Sequence, residues 1–241
     1  MGLELNTVLF AFLGGLLPTI IWLIFWLEED KKRPEPNRLI LRTFVLGMIA
    51  VLLVLPFQKF VDDFLPGLGI VAFLLWAILE ESFKFGAAYW GGLKSVEDNE
   101  PIDPLIYMIT AALGFVALEN TLFIVAPLLE QDLLGQNIVT SIITGNFRFI
   151  GAGLLHTVSS GIIGLTLGLS FYKPRILRRY LLILAFTLAV IFHTVFNLAI
   201  SHNVEIITTI AFGSVWLGVV LLILFFEKVK TIAPSEQKDI I

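Results

Sequence analysis

Leu68 to Trp90 is an apolar run long enough to cross a bilayer, which takes roughly 20 residues, yet it carries Glu80, Glu81 and Lys84 near its centre. Insertion scales put each such group at about 2.5–3.5 kcal/mol at mid-bilayer, so they are expected to face a protein-lined or wet interior. On a helix Lys84 stands four residues from Glu80 and three from Glu81, and can reach either. One lysine cannot compensate two carboxylates. The stretch therefore carries an excess acid, and we read it as the centre of an active site.

The remainder of the chain sets that run among others like it. The sequence is 57% hydrophobic and 15% charged over 241 residues, against roughly 25% charged in soluble domains. Seven apolar runs follow one another, at about 5–27, 39–57, 68–90, 105–125, 147–171, 180–200 and 206–226. The expected fold is an all-α integral membrane bundle of about seven transmembrane helices. We read it as one polytopic domain over residues 1–241, with its catalytic helices at about 68–203. The first run lacks a basic n-region and is read as a retained span. With no cysteine, thiolate chemistry and Cys-ligated metal are excluded. No basic cluster suits nucleic acid.

Lys31, Lys32, Arg33 and Arg38 follow the first run, Lys94 the third, and Lys173, Arg175, Arg178 and Arg179 the fifth, while Lys228, Lys230 and Lys238 follow the seventh. The alternate connections contain only Lys59. Positive loops stay in the cytoplasm, so the N-terminus is expected outside and the C-terminus inside, in the plasma membrane.

Polar residues recur on faces made of small ones. Ala152, His156, Ser160, Gly164 and Gly168 share one helical face, and Ala185, Ala189, His193, Asn197 and Ser201 another; Ala111, Phe115 and Glu119 line a third, with Asn120 next to it. Small residues let helices approach closely in lipid, so these faces meet other helices. At 1.5 Å per residue, Glu81 lies roughly 20 Å from the outer end of its span, Glu119 and His156 about 10–15 Å and His193 about 10 Å. These groups are expected to converge in the outer half of the membrane.

Such a set can activate water. A buried carboxylate can act as a general base, and histidine or asparagine can donate to a developing oxyanion. Glu81, Glu119, His156 and His193 are equally plausible ligands for Zn²⁺, and sequence spacing does not separate the two mechanisms. There is no His-Glu-x-x-His or Gly-x-Ser-x-Gly motif. A proton-coupled transporter using the same groups as a relay is a rival reading, but paired repeats and broken helices are missing. A non-catalytic scaffold leaves the excess acid unexplained.

EESFK (Glu80–Lys84) resembles the EExxK motif of the PrsW family of intramembrane proteases, which is related to the type II CAAX prenyl proteases. DPLIYMITAALGFVALEN (Asp103–Asn120), FRFIGAGLLHTVSSGIIG and FHTVFN resemble its following blocks, in the same order. The resemblance implies Glu80 or Glu81 as base, His156 as a holder of the water, and His193 with Asn197 as an oxyanion pair. Glu119, Asn120, Lys84 and Arg148 would be ligands or supports. It also implies a membrane-anchored protein or peptide substrate, such as an anti-sigma factor given a site-1 type cut.

Overall fold

The computed structural model describes residues 5–31, 33–67, 69–129, 137–202 and 204–233. Among the described residues seven α-helices follow one another: α1 (Leu5–Glu29), α2 (Asn37–Phe64), α3 (Gly69–Ala88), α4 (Asp103–Leu129), α5 (Asn137–Leu169), α6 (Arg175–Ser201) and α7 (Glu205–Val229). Each overlaps one of the seven apolar runs. Among the described residues, α1, α2, α4, α6 and α7 are long and apolar enough to cross a membrane, and α5 is apolar over Gly153–Leu169. α3, with three ionisable residues among its 20, is the helix whose polar load has to be absorbed by its neighbours.

α4 is the axis of the bundle. Its sequence is apolar on every side, which is the pattern of a helix with no solvent or lipid face. Leu105, Ile106, Tyr107, Met108 and Ile109 are all buried accordingly. α1, α2, α3 and α5 pack against it, while α6 and α7 lean on α5. The outer helices turn large apolar side chains outward, as at Ile183 and Leu184 of α6 and Ile21 of α1. Bilayer hydrocarbon suits that surface and water does not.

Glycines set how closely the helices cross. A Cβ on Gly114 of α4 would stand 2.0 Å from the Phe44 carbonyl oxygen of α2, and one on Gly47 of α2 would stand 2.2 Å from the Ala111 carbonyl oxygen. The crossing is reciprocal, backbone on backbone. On the other side, a Cβ on Gly164 of α5 would come within 2.7 Å of Leu105 Cα. The small-residue face read from the sequence is therefore the one that meets α4.

The last turn of α3 widens into a π-helical turn, Tyr89–Leu93. Gly91 there lies against Thr43 of α2, and Gly92 against the Tyr107 ring of α4. The third run thus ends packed between two helices rather than in solvent.

The candidate active site

Five helices contribute polar side chains to one buried cluster, α2 through Gln58. α3 supplies Glu80, Glu81 and Lys84, which are 5%, 0% and 0% exposed. α4 supplies Glu119, α5 supplies His156, Ser159 and Ser160, and α6 supplies His193. Residues far apart in the chain meet because α4 is central and the faces around it are small.

Glu81 is fully engaged. Its Oε1 accepts from Lys84 Nζ at 2.5 Å, Ser159 Oγ at 2.7 Å and His193 Nδ1 at 2.9 Å. Its Oε2 accepts from Ser160 Oγ at 2.9 Å. Lys84 therefore pairs with the glutamate three residues before it, not with Glu80 four before, as helical spacing favoured. Ser159 and Ser160 on α5 draw Glu81 toward that helix, and Lys84 follows the charge.

Glu80 is the less satisfied of the two. Gln58 of α2 donates to its Oε1 at 2.8 Å. Its Oε2 is buried without a hydrogen-bond partner, 3.4 Å from His193 Nε2 and 3.9 Å from His156 Nδ1. The two imidazoles stand edge to face with centroids 4.9 Å apart.

The partners assign the tautomers, since a carboxylate can only accept. His193 bonds Glu81 through Nδ1, so Nδ1 carries the proton and Nε2 presents its lone pair. His156 bonds Glu119 Oε2 through Nε2 at 3.0 Å, so Nδ1 presents the lone pair. Carboxylates behind both rings fix their orientation, an arrangement common around histidine metal ligands. Lys84 Nζ lies 2.8 Å from His156 Nδ1 and donates to it. Three acceptor atoms thus face one another, from Glu80, His156 and His193, all within 4.8 Å. That donor set fits a small cation.

Sequence reasoning expected Glu81 and Glu119 among the metal ligands. Glu80 Oε2 is the carboxylate oxygen grouped with one nitrogen of each histidine, while Glu81 accepts from four donors and Glu119 bonds His156 Nε2. Asn197 lies one turn beyond His193 on α6, half-buried, and its side chain hydrogen bonds to no other described residue. Asn120 is 4% exposed with Nδ2 unpartnered. The side chain of Arg148 lies outside the described residues, as do residues 130–136 of the stretch between the fourth and fifth runs. Gln58 and Ser159 were missed. The signal for Gln58 was a lone amide in the apolar run of α2, and for Ser159 a second hydroxyl beside the small-residue face.

A family model described as PrsW family intramembrane metalloprotease matches residues 35–226, which includes every residue of this cluster. The chain belongs to that family. Protease PrsW of Geobacillus kaustophilus is 31% identical over 193 residues, covering 76% of each chain. Protease PrsW of Halalkalibacterium halodurans is 25% identical over 189 residues, covering 76% of this chain and 80% of that one. Protease PrsW of Bacillus subtilis is 29% identical over 120 residues, covering 49% and 55%. No solved structure matches. The PrsW-family chain is an intramembrane protease, and the transporter and scaffold readings fall away.

Proposed function

We propose that Glu80, His156 and His193 form the reactive centre of this protease, with Glu81 and Glu119 as the groups that aim the histidines. The observation that carries this is the convergence of three acceptor atoms within 4.8 Å, of which Glu80 Oε2 has no hydrogen-bond partner and His156 Nδ1 accepts from Lys84 Nζ. Lone pairs so placed repel unless a cation lies between them. His156 and His193 would hold Zn²⁺, whose preference for N ligands they meet, with Glu80 beside the ion as base rather than ligand. When bound, the ion supplies a Lewis acid that lowers the pKa of water and polarises a peptide carbonyl.

The chain's own groups do the rest. Glu80 Oε2 takes the proton of the attacking water and returns it to the leaving amine, since Glu81 is fully buried and already accepts four hydrogen bonds. Gln58 holds the other oxygen of Glu80 and fixes the direction of the carboxylate. Glu81 and Glu119 keep both histidines in the tautomers that point lone pairs inward. Asn197 supports the oxyanion once a substrate carbonyl enters. Lys84 neutralises Glu81 so that the base can be negative beside it.

A metal-free, glutamate-type reading is favoured by one contact, Lys84 Nζ on His156 Nδ1, because it already satisfies that lone pair. A chelator separates the two. Cleavage of a membrane-anchored peptide by purified protein should be lost on chelation and restored by Zn²⁺. Full activity in the chelator, with no metal in the protein by elemental analysis, would leave Glu80 acting alone.

The basic loops support an outside N-terminus and an inside C-terminus in the plasma membrane. In that orientation α3 and α6 reach the cluster from opposite faces of the membrane, and a substrate would enter between helices. The substrate class that suits it is a single-span protein cut near its outer boundary, such as an anti-sigma factor.

A further inference from the structure

The last turns of α3 and α5 and the first turns of α6 lie at one end of the bundle and enclose a cavity of about 250 Å³. Catalysis does not use it. Phe85, Leu167 and Leu182 give it an apolar wall, and Arg175, Arg178 and Arg179 line it from the start of α6. The three arginines follow the spacing that puts side chains on one helical face.

Cations elsewhere in the chain are paired. Lys31, Arg33, Lys59, Lys84 and Lys230 each hold a carboxylate partner. Among the described residues, none of Arg175, Arg178 and Arg179 forms such a pair; Arg178 rests over the Phe171 ring, 5.4 Å from its centroid. Asp98 is the acid in the cavity lining. Its Oδ1 is buried without a hydrogen-bond partner, and burial with the charge of Asp103 pushes it up to about 7. Three guanidiniums against one carboxyl leave at least two positive charges on the lining. The planar fork of arginine matches phosphate oxygens.

The surroundings of the cavity are those of a bilayer surface. Tyr89, Trp90, Tyr172 and Tyr180 are exposed at this end, and amphipathic rings gather at headgroup depth. Ile183 and Leu184, one turn further along α6, are exposed as lipid-facing residues are. A basic rim over an apolar wall at that depth suits a molecule carrying a phosphate and an acyl chain together. A free phosphate would use the rim alone.

We propose that this cavity binds an anionic phospholipid of the phosphatidylglycerol type, with its phosphodiester on Arg175, Arg178 and Arg179 and the start of its chains along Phe85, Leu167 and Leu182. On the proposed topology this is the cytoplasmic leaflet, where basic pockets between helices take anionic headgroups. α3 carries Glu80, Glu81 and Lys84, and α6 carries His193. The lipid therefore ties together the ends of two helices that hold reactive groups further along.

The test is the melting temperature of the full-length protein, delipidated in detergent and titrated with phosphatidylglycerol, with phosphatidylcholine of the same chains, or with inorganic phosphate. Phosphatidylglycerol should raise Tm by about 2–4 °C, a linkage shift of ordinary size for a chain of this length. The other two should leave it unchanged. Arg178→Gln and Arg179→Gln should each remove more than half of the rise. Lys173→Gln, which takes a charge from the same loop but not from the cavity lining, should keep it. Native mass spectrometry of wild type from equimolar mixed micelles needs no variant and should show phosphatidylglycerol retained several-fold over phosphatidylcholine. Equal retention of the two lipids overturns the proposal, as does an equal rise with phosphatidylcholine. An equal rise with inorganic phosphate overturns it in favour of a free anion. A rise kept in both arginine variants, or lost in Lys173→Gln, overturns it in favour of diffuse surface charge.

Discussion

Glu81 Oε1 accepts the His193 Nδ1 proton at 2.9 Å, and that bond leaves His193 Nε2 facing Glu80 Oε2 at 3.4 Å. Adjacent glutamates on one helix are thereby sorted into different tasks. Glu81 orients, with both oxygens hydrogen-bonded inside the protein, and Glu80 keeps one oxygen for chemistry. The pair looks symmetric in sequence and is not in space.

Exchange to glutamine separates the two tasks. Glu80→Gln should lower cleavage by 100-fold or more, as loss of a general base does, with Tm nearly unchanged. Glu81→Gln removes the partner of a buried lysine and should cost about 3–5 kcal/mol of stability. Thermal unfolding and single-turnover cleavage on both variants check this. Equal Tm losses in the two would show that the division of labour is wrong.

Gln58 makes one hydrogen bond to the reactive carboxylate. Gln58→Leu should reduce kcat about 10- to 100-fold, from the roughly 1.5–3 kcal/mol that hydrogen bonds to charged groups contribute. KM should stay the same, because Gln58 aims the base and is not placed against substrate. A change confined to KM would move Gln58 to substrate binding.

Gly164 lies on the backbone of α4, where a Cβ would meet Leu105 Cα at 2.7 Å and Pro104 O at 2.9 Å. Gly164→Leu should destabilise by about 3 kcal/mol or more, the upper end of overpacking costs, because backbone has to move. Ile163 is a poor control, since it is itself fully buried. Ile183→Leu on the exposed face of α6 is the better one and should be neutral. Comparable melting temperatures for both would mean that α5 and α4 do not cross there.

Stability should depend on pH through the loop carboxylates Asp30 and Glu35. Asp30 and Glu35, raised to about 7 and about 8, hold protons in the folded state that an unfolded chain releases near pH 4 to 5. The folded state then binds more protons between about pH 4.5 and 8, so stability falls as pH rises through that window. Tm measured across it should decline, and Glu35→Gln should flatten the slope. A slope identical to wild type would place the titrating group elsewhere.

Reporters fused after Leu93 or Arg175 should read cytoplasmic, and one after Leu65 external, because Lys and Arg gather in alternate loops. A cytoplasmic reading at Leu65 would turn the catalytic cluster toward the other leaflet.

Local signals were enough for the helices and for the inventory of reactive groups. Apolar length specified seven helices. The four-residue spacing of small residues around His156 and His193 marked the faces that pack inward, as Gly164 against α4 bears out. The motif EESFK marked the acids. Which acid does what was decided only by tertiary structure. Helical spacing favoured Lys84 with Glu80, but Ser159, Ser160 and His193 approach from α5 and α6 and gather around Glu81, taking the lysine with it. Gln58, from a helix that carries none of the motifs, then meets Glu80 alone. The buried acids at the far end of α4 were equally illegible, since Asp30, Glu35 and Asp103 read as ordinary loop charges until three helix ends close over them. Periodicity reports which face of one helix is buried; it carries no information on which donor from another helix arrives first.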